Sequence, residues 1–333
     1  MIKQILAGLT FLAALPLMAA TGTSLPYSAS NGAFAILSPG SVDEFPIPAY
    51  DSNPVSIVPG MDGNLWFTEG RANQIGRITP RGVINEFPIP TGNSRPSGIT
   101  MGFDGAIWFT ESSANKIGRL NPISGEIKEY PVPTPGSYPF GITRGPGGKL
   151  WFAETLGNRI GWINPDSGVV HDFPVSASAP LNIAWGADGN LWFTQGLRDK
   201  IGRVTPDEKS DEFALPTAGS ATYGIARGLD DNLWFTEAGH NKIGRITTRG
   251  EIVEFSLPAA DAIPYNIAPG PSGELWFTLT TGDKIMKVDP TTGVIDTFAS
   301  PMGSGIHNIT LGSDGRLWFV ESNANRIGRT FIR

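Results

Sequence analysis

Residues 65–68 read Leu-Trp-Phe-Thr, and a stretch centred on the same Trp-Phe pair returns six more times along the chain. The tryptophans of the seven copies are Trp66, Trp108, Trp151, Trp192, Trp234, Trp276 and Trp318. Successive copies lie 42, 43, 41, 42, 42 and 42 residues apart. A period of ~40–45 residues with several short strands is typical of a propeller blade. Pro and Gly interrupt every copy too often for a helical repeat. The chain is therefore predicted to be an all-β, seven-bladed β-propeller.

The fifth copy indicates how four antiparallel strands fit into one blade. Residues 223–226 are predicted as the innermost strand, 233–237 as the second, 243–246 as the third and 252–257 as the outer strand. The Asp-Asp-Asn sequence at 230–232 predicts a tight turn between the first two strands. Alternation along the second strand predicts Trp and Thr on one face of the blade and Leu and Phe on the other. The repeated Trp residues are therefore expected to be buried between blades.

The order of the copies indicates how the ring closes. Residues 44–48, Glu-Phe-Pro-Ile-Pro, match the outer-strand motif but precede the first Leu-Trp-Phe, whereas the last copy ends without an outer strand. We expect the segment around 43–47 to complete the last blade, because this pairing removes two exposed sheet edges. The propeller is predicted to span residues 43–333 as a single domain.

The N-terminus has the pattern of a secretory signal. Lys3 precedes an apolar run at 5–17, and small residues follow at Ala19 and Ala20. Residues 1–20 are therefore predicted to be a cleaved signal peptide, with an uncleaved membrane anchor as the alternative. Residues 21–42, rich in Ser, Gly and Ala, are predicted to be a flexible leader. The mature protein is expected to be secreted or periplasmic, and not attached to a membrane.

Charge and composition exclude several functions. The chain has 25 Lys and Arg against 31 Asp and Glu, a net charge of −6. It lacks the positive field that nucleic acids and anionic membranes require of a partner. With no Cys, it has no disulfide, no thiolate metal site and no cysteine nucleophile. We expect a monomer that binds a small molecule, a peptide or a sugar.

Propeller geometry predicts that this ligand binds at one mouth of the central channel. The loops that enter the first strand and leave the second emerge on the same face of the ring. The channel positions at the start of the first strand are Val55, Ser97, Phe140, Leu181, Tyr223, Tyr265 and His307. The residues that end the second strand are Glu69, Glu111, Glu154, Gln195, Glu237, Leu279 and Glu321. Both sets are expected to surround this mouth.

The repeated Glu has a structural interpretation. It ends the second strand in five of the seven blades, and an Arg often follows eight residues later, as Arg77 follows Glu69. This spacing across a short hairpin predicts ion pairs on one face of the sheet.

The three histidines are predicted to lie in different places. His171 starts an outer strand and is expected on the surface, whereas His240, in a loop after a second strand, is exposed or overhangs the mouth. His307 breaks its own repeat at a channel position, fourteen residues before Glu321. We expect this imidazole and carboxylate to meet at the mouth of the last blade, the alternative being a hydrogen-bonded core histidine.

The repeated Leu-Trp-Phe-Thr-Glu, Asn-x-Ile-Gly-Arg and Glu-Phe-Pro-x-Pro elements of residues 43–333 resemble the virginiamycin B lyase (streptogramin lyase) family of seven-bladed propellers. The resemblance implies elimination that opens a cyclic depsipeptide: a His takes a carbon-bound proton, the ester oxygen leaves, and carboxylate-bound Mg²⁺ stabilises the developing charge. It implies His307 as the catalytic base and Glu321 as a metal ligand.

Two positions depart from the family pattern. This chain has Gly305 where the family has a second metal-binding Glu, and Tyr265 where the family has a substrate-contacting His. Losing one carboxylate should weaken binding of a hard cation, whereas Tyr265 still donates a hydrogen bond. Either another carboxylate, such as Glu237 or Glu69, replaces the missing one, or the chain acts on a different substrate.

Three functions follow from these observations. The first is a secreted lyase of the streptogramin type, acting on a cyclic ester with His307 and Glu321. The second is a propeller without enzymatic activity, whose mouth binds a sugar or peptide against the aromatic faces of Phe140, Tyr223 and Tyr265. The third is a lactonase-like metal hydrolase, which would require several Asp, Asn and Glu ligands at the channel.

Overall fold

The computed structural model describes residues 41–176, 178–258, 262–299 and 303–332. The predicted signal peptide and residues 21–40 of the predicted leader lie outside the described residues. In the described ranges the regular structure is β-strand apart from one 3₁₀ turn, Pro146–Gly148. No helix in this part of the chain is long and apolar enough to cross a membrane.

The strands form seven four-stranded antiparallel sheets, the blades of a propeller. The innermost strands of blades one to seven are β2 (Pro54–Pro59), β6 (Pro96–Met101), β10 (Pro139–Arg144), β14 (Pro180–Trp185), β18 (Thr222–Arg227), β22 (Pro264–Pro269) and β26 (Ile306–Leu311). The second strands are β3 (Leu65–Glu69), β7 (Ile107–Glu111), β11 (Leu150–Glu154), β15 (Leu191–Gln195), β19 (Leu233–Glu237), β23 (Leu275–Leu279) and β27 (Leu317–Glu321).

The third and outer strands complete each blade. The third strands are β4 (Gln74–Ile78), β8 (Lys116–Leu120), β12 (Arg159–Ile163), β16 (Lys200–Val204), β20 (Lys242–Ile246), β24 (Lys284–Val288) and β28 (Arg326–Thr330). The outer strands are β5 (Ile84–Pro88), β9 (Ile127–Pro131), β13 (Val170–Pro174), β17 (Ser210–Ala214), β21 (Ile252–Ser256), β25 (Ile295–Ala299) and, for blade seven, β1 (Val42–Pro46). The predicted seven-bladed fold is confirmed.

The predicted ring closure is also confirmed. Strand β1 pairs antiparallel with β28, and Val42 lies opposite Thr330. Beyond the strand, the side chain of Asn325 accepts hydrogen bonds from the backbone N and the Oγ of Ser52, at 2.7 and 2.8 Å. Its Nδ2 donates to the carbonyl of Ala49 at 2.8 Å. Residues near the two ends of the described chain are thus joined by a sheet and by a polar side chain.

The blade faces explain the repeated motif. Trp66 packs against Ile99 and Ile107 of the next blade, whereas Phe67 of the same strand packs against Trp318 of the preceding blade. This is the predicted alternation, and all seven repeat tryptophans are at most 1% exposed. A Cβ at Gly76, in the adjacent strand, would lie 2.1 Å from the Phe67 ring. The glycine of Ile-Gly-Arg is therefore required by the aromatic ring that covers it.

The predicted Glu–Arg pairs across the hairpin are wrong. Arg77 lies opposite Trp66, and Glu69 lies opposite Gln74. Trp66 and Glu69 are three residues apart in one strand, so their side chains point to opposite faces. The guanidinium of Arg77 instead lies 5.6 Å from the centre of the Trp66 ring and donates to Asn85 at 2.9 Å.

The repeated glutamates are buried beside other acidic groups. Glu111 is fully buried, and neither of its carboxyl oxygens has a hydrogen-bond partner among the described residues. Burial, and secondly the nearby Glu129 carboxylate, raises the pKa of Glu111 to about 8. In blade four the same position is Gln195, whose amide donates to Glu212 at 3.0 Å. A protonated Glu carboxyl group, like this amide, is neutral and carries a hydrogen-bond donor, so Gln195 resembles the protonated form of the glutamates at the same position.

We expect Glu111→Gln to remove part of the pH dependence of stability. The folded pKa of Glu111 lies above the unfolded value of 4.5, so its contribution is complete below about pH 4.5 and is lost as the pH rises through about 8. The upper limit of this loss is ~1.4 kcal/mol per pH unit. The variant should match the parent near pH 5 and exceed its free energy of unfolding near pH 9, measured by denaturant titration.

The reciprocal change is the control. Gln195→Glu places an ionisable group in blade four and should add a loss of stability at alkaline pH. Parallel pH curves for Glu111→Gln and the parent would contradict the assignment of Glu111 as a neutral buried acid.

Candidate functional site

The innermost strands begin on one face of the ring, and their first residues surround a narrow channel. The lining of this channel comprises Val55, Ser56, Ser97, Gly98, Phe140, Asn182, Tyr223, Tyr265, Asn266 and Asn308. Five of these are channel positions named from the sequence, and Asn308 directly follows a sixth, His307. The mouth of this channel is the candidate site.

One side of the mouth is an apolar wall. Tyr138, Phe140 and Leu181 are buried and form a cluster against which Leu156 and Tyr223 pack. Phe140 and Tyr223 meet edge to face, with ring centres 6.1 Å apart and planes at 83°. Such a wall buries the apolar or aromatic groups of a ligand. We call these five residues the aromatic wall.

Three rings continue the wall across blades five, six and seven. The ring centres of Tyr223 and Tyr265 are 3.9 Å apart, and those of Tyr265 and His307 are 4.8 Å apart with planes at 23°. The two tyrosine hydroxyls hydrogen-bond to one another. Burial raises the pKa of both tyrosines, so both are neutral hydrogen-bonding groups at neutral pH.

His307 is half-buried and held at several points. Thr278 of blade six donates its hydroxyl to the His307 carbonyl at 2.5 Å. The imidazole Nδ1 lies 2.8 Å from the Oγ of Ser322. Burial lowers the pKa of His307 to about 4, against a smaller opposing effect of the Asp283 carboxylate. The imidazole is therefore neutral at neutral pH and able to accept a proton.

Glu321 occupies a different environment from His307. It is fully buried at the end of β27, opposite Ile306, and a Cβ at Gly328 would lie 2.8 Å from its Oε1. Burial, followed by the Glu44 carboxylate, raises its pKa to about 8. Neither carboxyl oxygen has a hydrogen-bond partner among the described residues.

The structure brings several of the predicted site residues together at the mouth. His307 contacts Ser322 and Tyr265, and through Tyr265 it joins Tyr223 and the aromatic wall. Among the described residues no hydrogen bond or ion pair links the imidazole to Glu321, whose pKa is raised by burial and then by the Glu44 carboxylate. In the pairing of β26 with β27, Glu321 lies opposite Ile306, the residue before His307.

The donors near Glu321 do not complete a magnesium site. Within the described ranges no group of three or more His, Cys, Asp or Glu side chains is arranged to hold a metal ion. Gly305 brings no side chain, and a Cβ there would lie 2.4 Å from the Nδ2 of Asn323. Asp283 is occupied by the backbone N of Gly305, at 2.7 Å. Of the two carboxylates that the family pattern implies, Glu321 alone is present.

The other two histidines lie where the sequence predicted. His171, in β13, is exposed and 3.2 Å from a carboxylate oxygen of Glu208. His240 is exposed in the loop after β19, beside Gly219.

Two residues of the mouth were missed by sequence reasoning. Arg95 is exposed and has a left-handed backbone, with φ of 53°. Burial dominates the raised pKa values of Tyr138, Tyr223 and Tyr265, and the positive charge of Arg95 opposes it in all three. Arg95 lies two residues before its channel position, as Gly305 does, and this shared offset is the signal that would have found it.

Ser322 is the second missed residue. It directly follows the repeated glutamate, at a position where blades two and three also have hydroxyls, Ser112 and Thr155. The hydroxyl that recurs directly after the glutamate is the signal in the sequence that would have found it.

Two wider cavities open on the opposite face of the ring. One is lined by the hairpin at residues 271–274 and the loop at 289–292, the other by residues 60–62 and 121–123. Neither contains a residue of the mouth, and no histidine lines them.

Comparison with known proteins gives matches both to a family sequence model and to solved structures. The sequence model of the Virginiamycin B lyase family matches residues 28–181 and 170–333. A solved streptogramin B lyase structure is 38% identical, covers 88% of this chain and 98% of its own, and superposes with a TM-score of 0.83.

Two further solved structures are of virginiamycin B lyase from Staphylococcus aureus. The selenomethionine-substituted protein is 39% identical, with 88% of this chain and 99% of that chain covered and a TM-score of 0.83. A catalytically inactive histidine-to-alanine variant, solved with quinupristin, is 38% identical, with the same coverage and a TM-score of 0.82.

Proposed function

Because the chain belongs to the virginiamycin B lyase family, we propose that it opens a cyclic depsipeptide of the streptogramin B type by elimination, with His307 as the general base. The observation that carries this proposal is a neutral imidazole at the channel mouth, stacked on Tyr265 and hydrogen-bonded to Ser322. A histidine-to-alanine variant of the lyase from Staphylococcus aureus is inactive, which supports a histidine base.

The reaction needs one proton acceptor and one leaving group. His307 takes the proton from the carbon next to a carbonyl, the electrons of the C–H bond form a C=C bond, and the C–O bond of the ester breaks. The carboxylate leaves, and the proton on the imidazole passes to solvent. No water is added, so the ring-opened product has the mass of the substrate.

The mouth offers binding groups for such a ring. The aromatic wall would cover apolar side chains of a cyclic peptide, with Phe140, Tyr223 and Tyr265 as the proposed substrate contacts. The buried hydroxyls of the two tyrosines provide hydrogen bonds that orient the substrate. The guanidinium of Arg95 supplies a positive charge to the same region.

Magnesium assistance is a separate proposal, in which Glu321 would hold the ion. Magnesium prefers oxygen ligands with near-octahedral geometry and binds through one or two carboxylates. Glu321 supplies one, and its pKa of about 8 means that binding must displace a proton. Because the second carboxylate is missing at Gly305, the reaction steps above are derived without the ion.

We expect magnesium to stabilise the double variant Gly305→Glu, Asn323→Ser more strongly than it stabilises the parent. The backbone at Gly305 has φ of 62°, and equivalent positions such as Arg95 and Tyr138 adopt φ of 53° and 58° with side chains. Blade two combines Arg95 with Ser113 at these two positions, so the smaller Ser leaves room for the new Glu. Magnesium at a hundred times Kd should stabilise the double variant by ~2.7 kcal/mol, measured by thermal unfolding.

The single change Asn323→Ser is the control and should respond to magnesium as the parent does. An equal stabilisation of the parent and the double variant would show that position 305 does not contribute a ligand.

The experiment that tests the proposed function is incubation with a streptogramin B depsipeptide, with and without magnesium, followed by mass spectrometry. Ring opening without a change in mass supports elimination, whereas addition of one water would favour the lactonase-like hydrolase. Binding of the depsipeptide without turnover would favour a binding protein, a function consistent with the aromatic wall and the missing carboxylate. Export through residues 1–20 and a monomeric state also stay proposals.

A further inference from the structure

The hydroxyl of Ser322 bridges two groups that belong to different blades. Its Oγ lies 2.8 Å from the Nδ1 of His307 and 2.5 Å from the carbonyl oxygen of Pro54. Pro54 begins blade one, whereas His307 and Ser322 belong to blade seven. Ser322 is buried, so water does not compete strongly for its single hydroxyl hydrogen.

The number of hydrogens on these atoms fixes the direction of each bond. A carbonyl oxygen has no hydrogen and only accepts, so the Ser322 hydroxyl must donate to Pro54. A serine hydroxyl has one hydrogen, and once it is given to Pro54 the same oxygen can only accept from the imidazole. The Nδ1 of His307 must therefore carry a hydrogen, and in the neutral ring the lone pair is then on Nε2.

The repeat separates this arrangement from ordinary packing between blades. The same bond between blades occurs with and without the Thr of the second strand. In blade two, which has Thr110, Ser112 donates to the carbonyl of Pro139 at 2.6 Å, and in blade three, which has Ala153 instead, Thr155 donates to the carbonyl of Pro180 at 2.9 Å. Blade seven has Val320 at the position of Ala153, and Ser322 makes the corresponding bond to Pro54. The bond between blades thus explains the donated hydrogen of Ser322. It does not require an imidazole, because the channel residue is Phe140 beside Thr155 and Ser97 beside Ser112, whose two hydroxyls lie 2.9 Å apart.

We propose that Ser322 is a positioning residue that holds His307 as the Nδ1–H tautomer and so makes Nε2 the proton acceptor. This inference rests on the proposed function for the role of Nε2, whereas the tautomer itself follows from the hydrogen bonds. Without this hydrogen bond the ring could also take the Nε2–H tautomer. Molecules in that form would present an N–H to the substrate carbon and could not accept the carbon-bound proton.

The tautomer can be measured directly on the whole protein. In protein labelled with ¹⁵N-histidine, two-bond ¹H–¹⁵N correlation spectra distinguish the tautomers of His171, His240 and His307, and the His307→Ala spectrum assigns the third. At neutral pH we expect His307 to be Nδ1–H in the parent. In Ser322→Ala the Nε2–H form should appear, and kcat for ring opening should fall roughly 10–100-fold with little change in KM.

Two variants distinguish positioning from stability. Ser322→Thr keeps the hydroxyl, as Thr155 does in blade three, and should retain the parent tautomer and kcat. Thr155→Val removes the matching bond between blades and should lower the melting temperature, while it leaves the His307 tautomer and kcat unchanged.

An Nε2–H ring in the parent, or an unchanged Nδ1–H ring in Ser322→Ala, would overturn the inference. If the tautomer changes as expected while the parent opens no cyclic ester, the proposed function fails and the hydrogen-bond assignment stands.

Discussion

Removing residues 21–48 from the mature chain is expected to lower the melting temperature sharply and to cause aggregation. The deletion removes β1 and leaves β28 as an unpaired sheet edge, which can pair with another chain. Phe45 stacks on Trp318 with ring centres 5.7 Å apart, and Ile47 is 5% exposed. Thermal unfolding and size-exclusion chromatography would measure both effects.

The large effect follows from the number of contacts that β1 makes across the closure. Phe45 and Ile47 pack with residues of blades seven and one in one cluster. Arg329 pairs with Asp43, and Arg326 pairs with Glu44. The propeller is stable as a closed ring, and blade seven closes it by pairing β1 with β28. The loss of β1 therefore opens the ring at this blade.

Deletion of residues 21–38 is the matched control, since it leaves β1 whole and should be tolerated. A chain that starts at Asn53 and melts at the temperature of the full mature chain would contradict the role of β1 in closure.

The fold could be predicted from the sequence because every blade repeats the same physical requirements. A buried Trp and Phe in the second strand and a glycine beneath the Phe ring occur in nearly every copy, as at Trp66, Phe67 and Gly76. The missing outer strand of the last copy indicated the closure. Strand ends differ slightly from the prediction: β18 begins at Thr222 and ends at Arg227, one residue beyond the predicted stretch on each side.

The site was harder to predict because it depends on contacts between distant residues. Spacing alone suggested that Glu69 pairs with Arg77, but the strand register places Trp66 opposite this arginine. The bridge from Pro54 through Ser322 joins residues 268 positions apart. A repeat reveals what the blades share, whereas the mouth is built from the positions at which they differ.

His307→Ala is expected to lower kcat for ring opening by ~10²–10⁴-fold, the usual contribution of a positioned general base. The imidazole is neutral at neutral pH because burial lowers its pKa to about 4. In the parent, activity should therefore hold at neutral pH and fall only as the pH drops towards 4, where protonation removes the acceptor. Turnover measured by mass spectrometry at several pH values would show both effects.

His240→Ala is the matched control for this prediction. His240 is exposed on the same face of the ring but outside the stack of Tyr223, Tyr265 and His307, so its loss should leave kcat unchanged. Tyr265→Phe keeps the ring stack and removes one hydroxyl, which should weaken substrate binding more than it lowers kcat. Full activity in His307→Ala would exclude the His307 imidazole as the base. Neither His171 nor His240 contacts this stack, so neither could replace it. The proposed elimination would then need a carboxylate as its proton acceptor, and Glu321, neutral below about pH 8, would require alkaline conditions to serve.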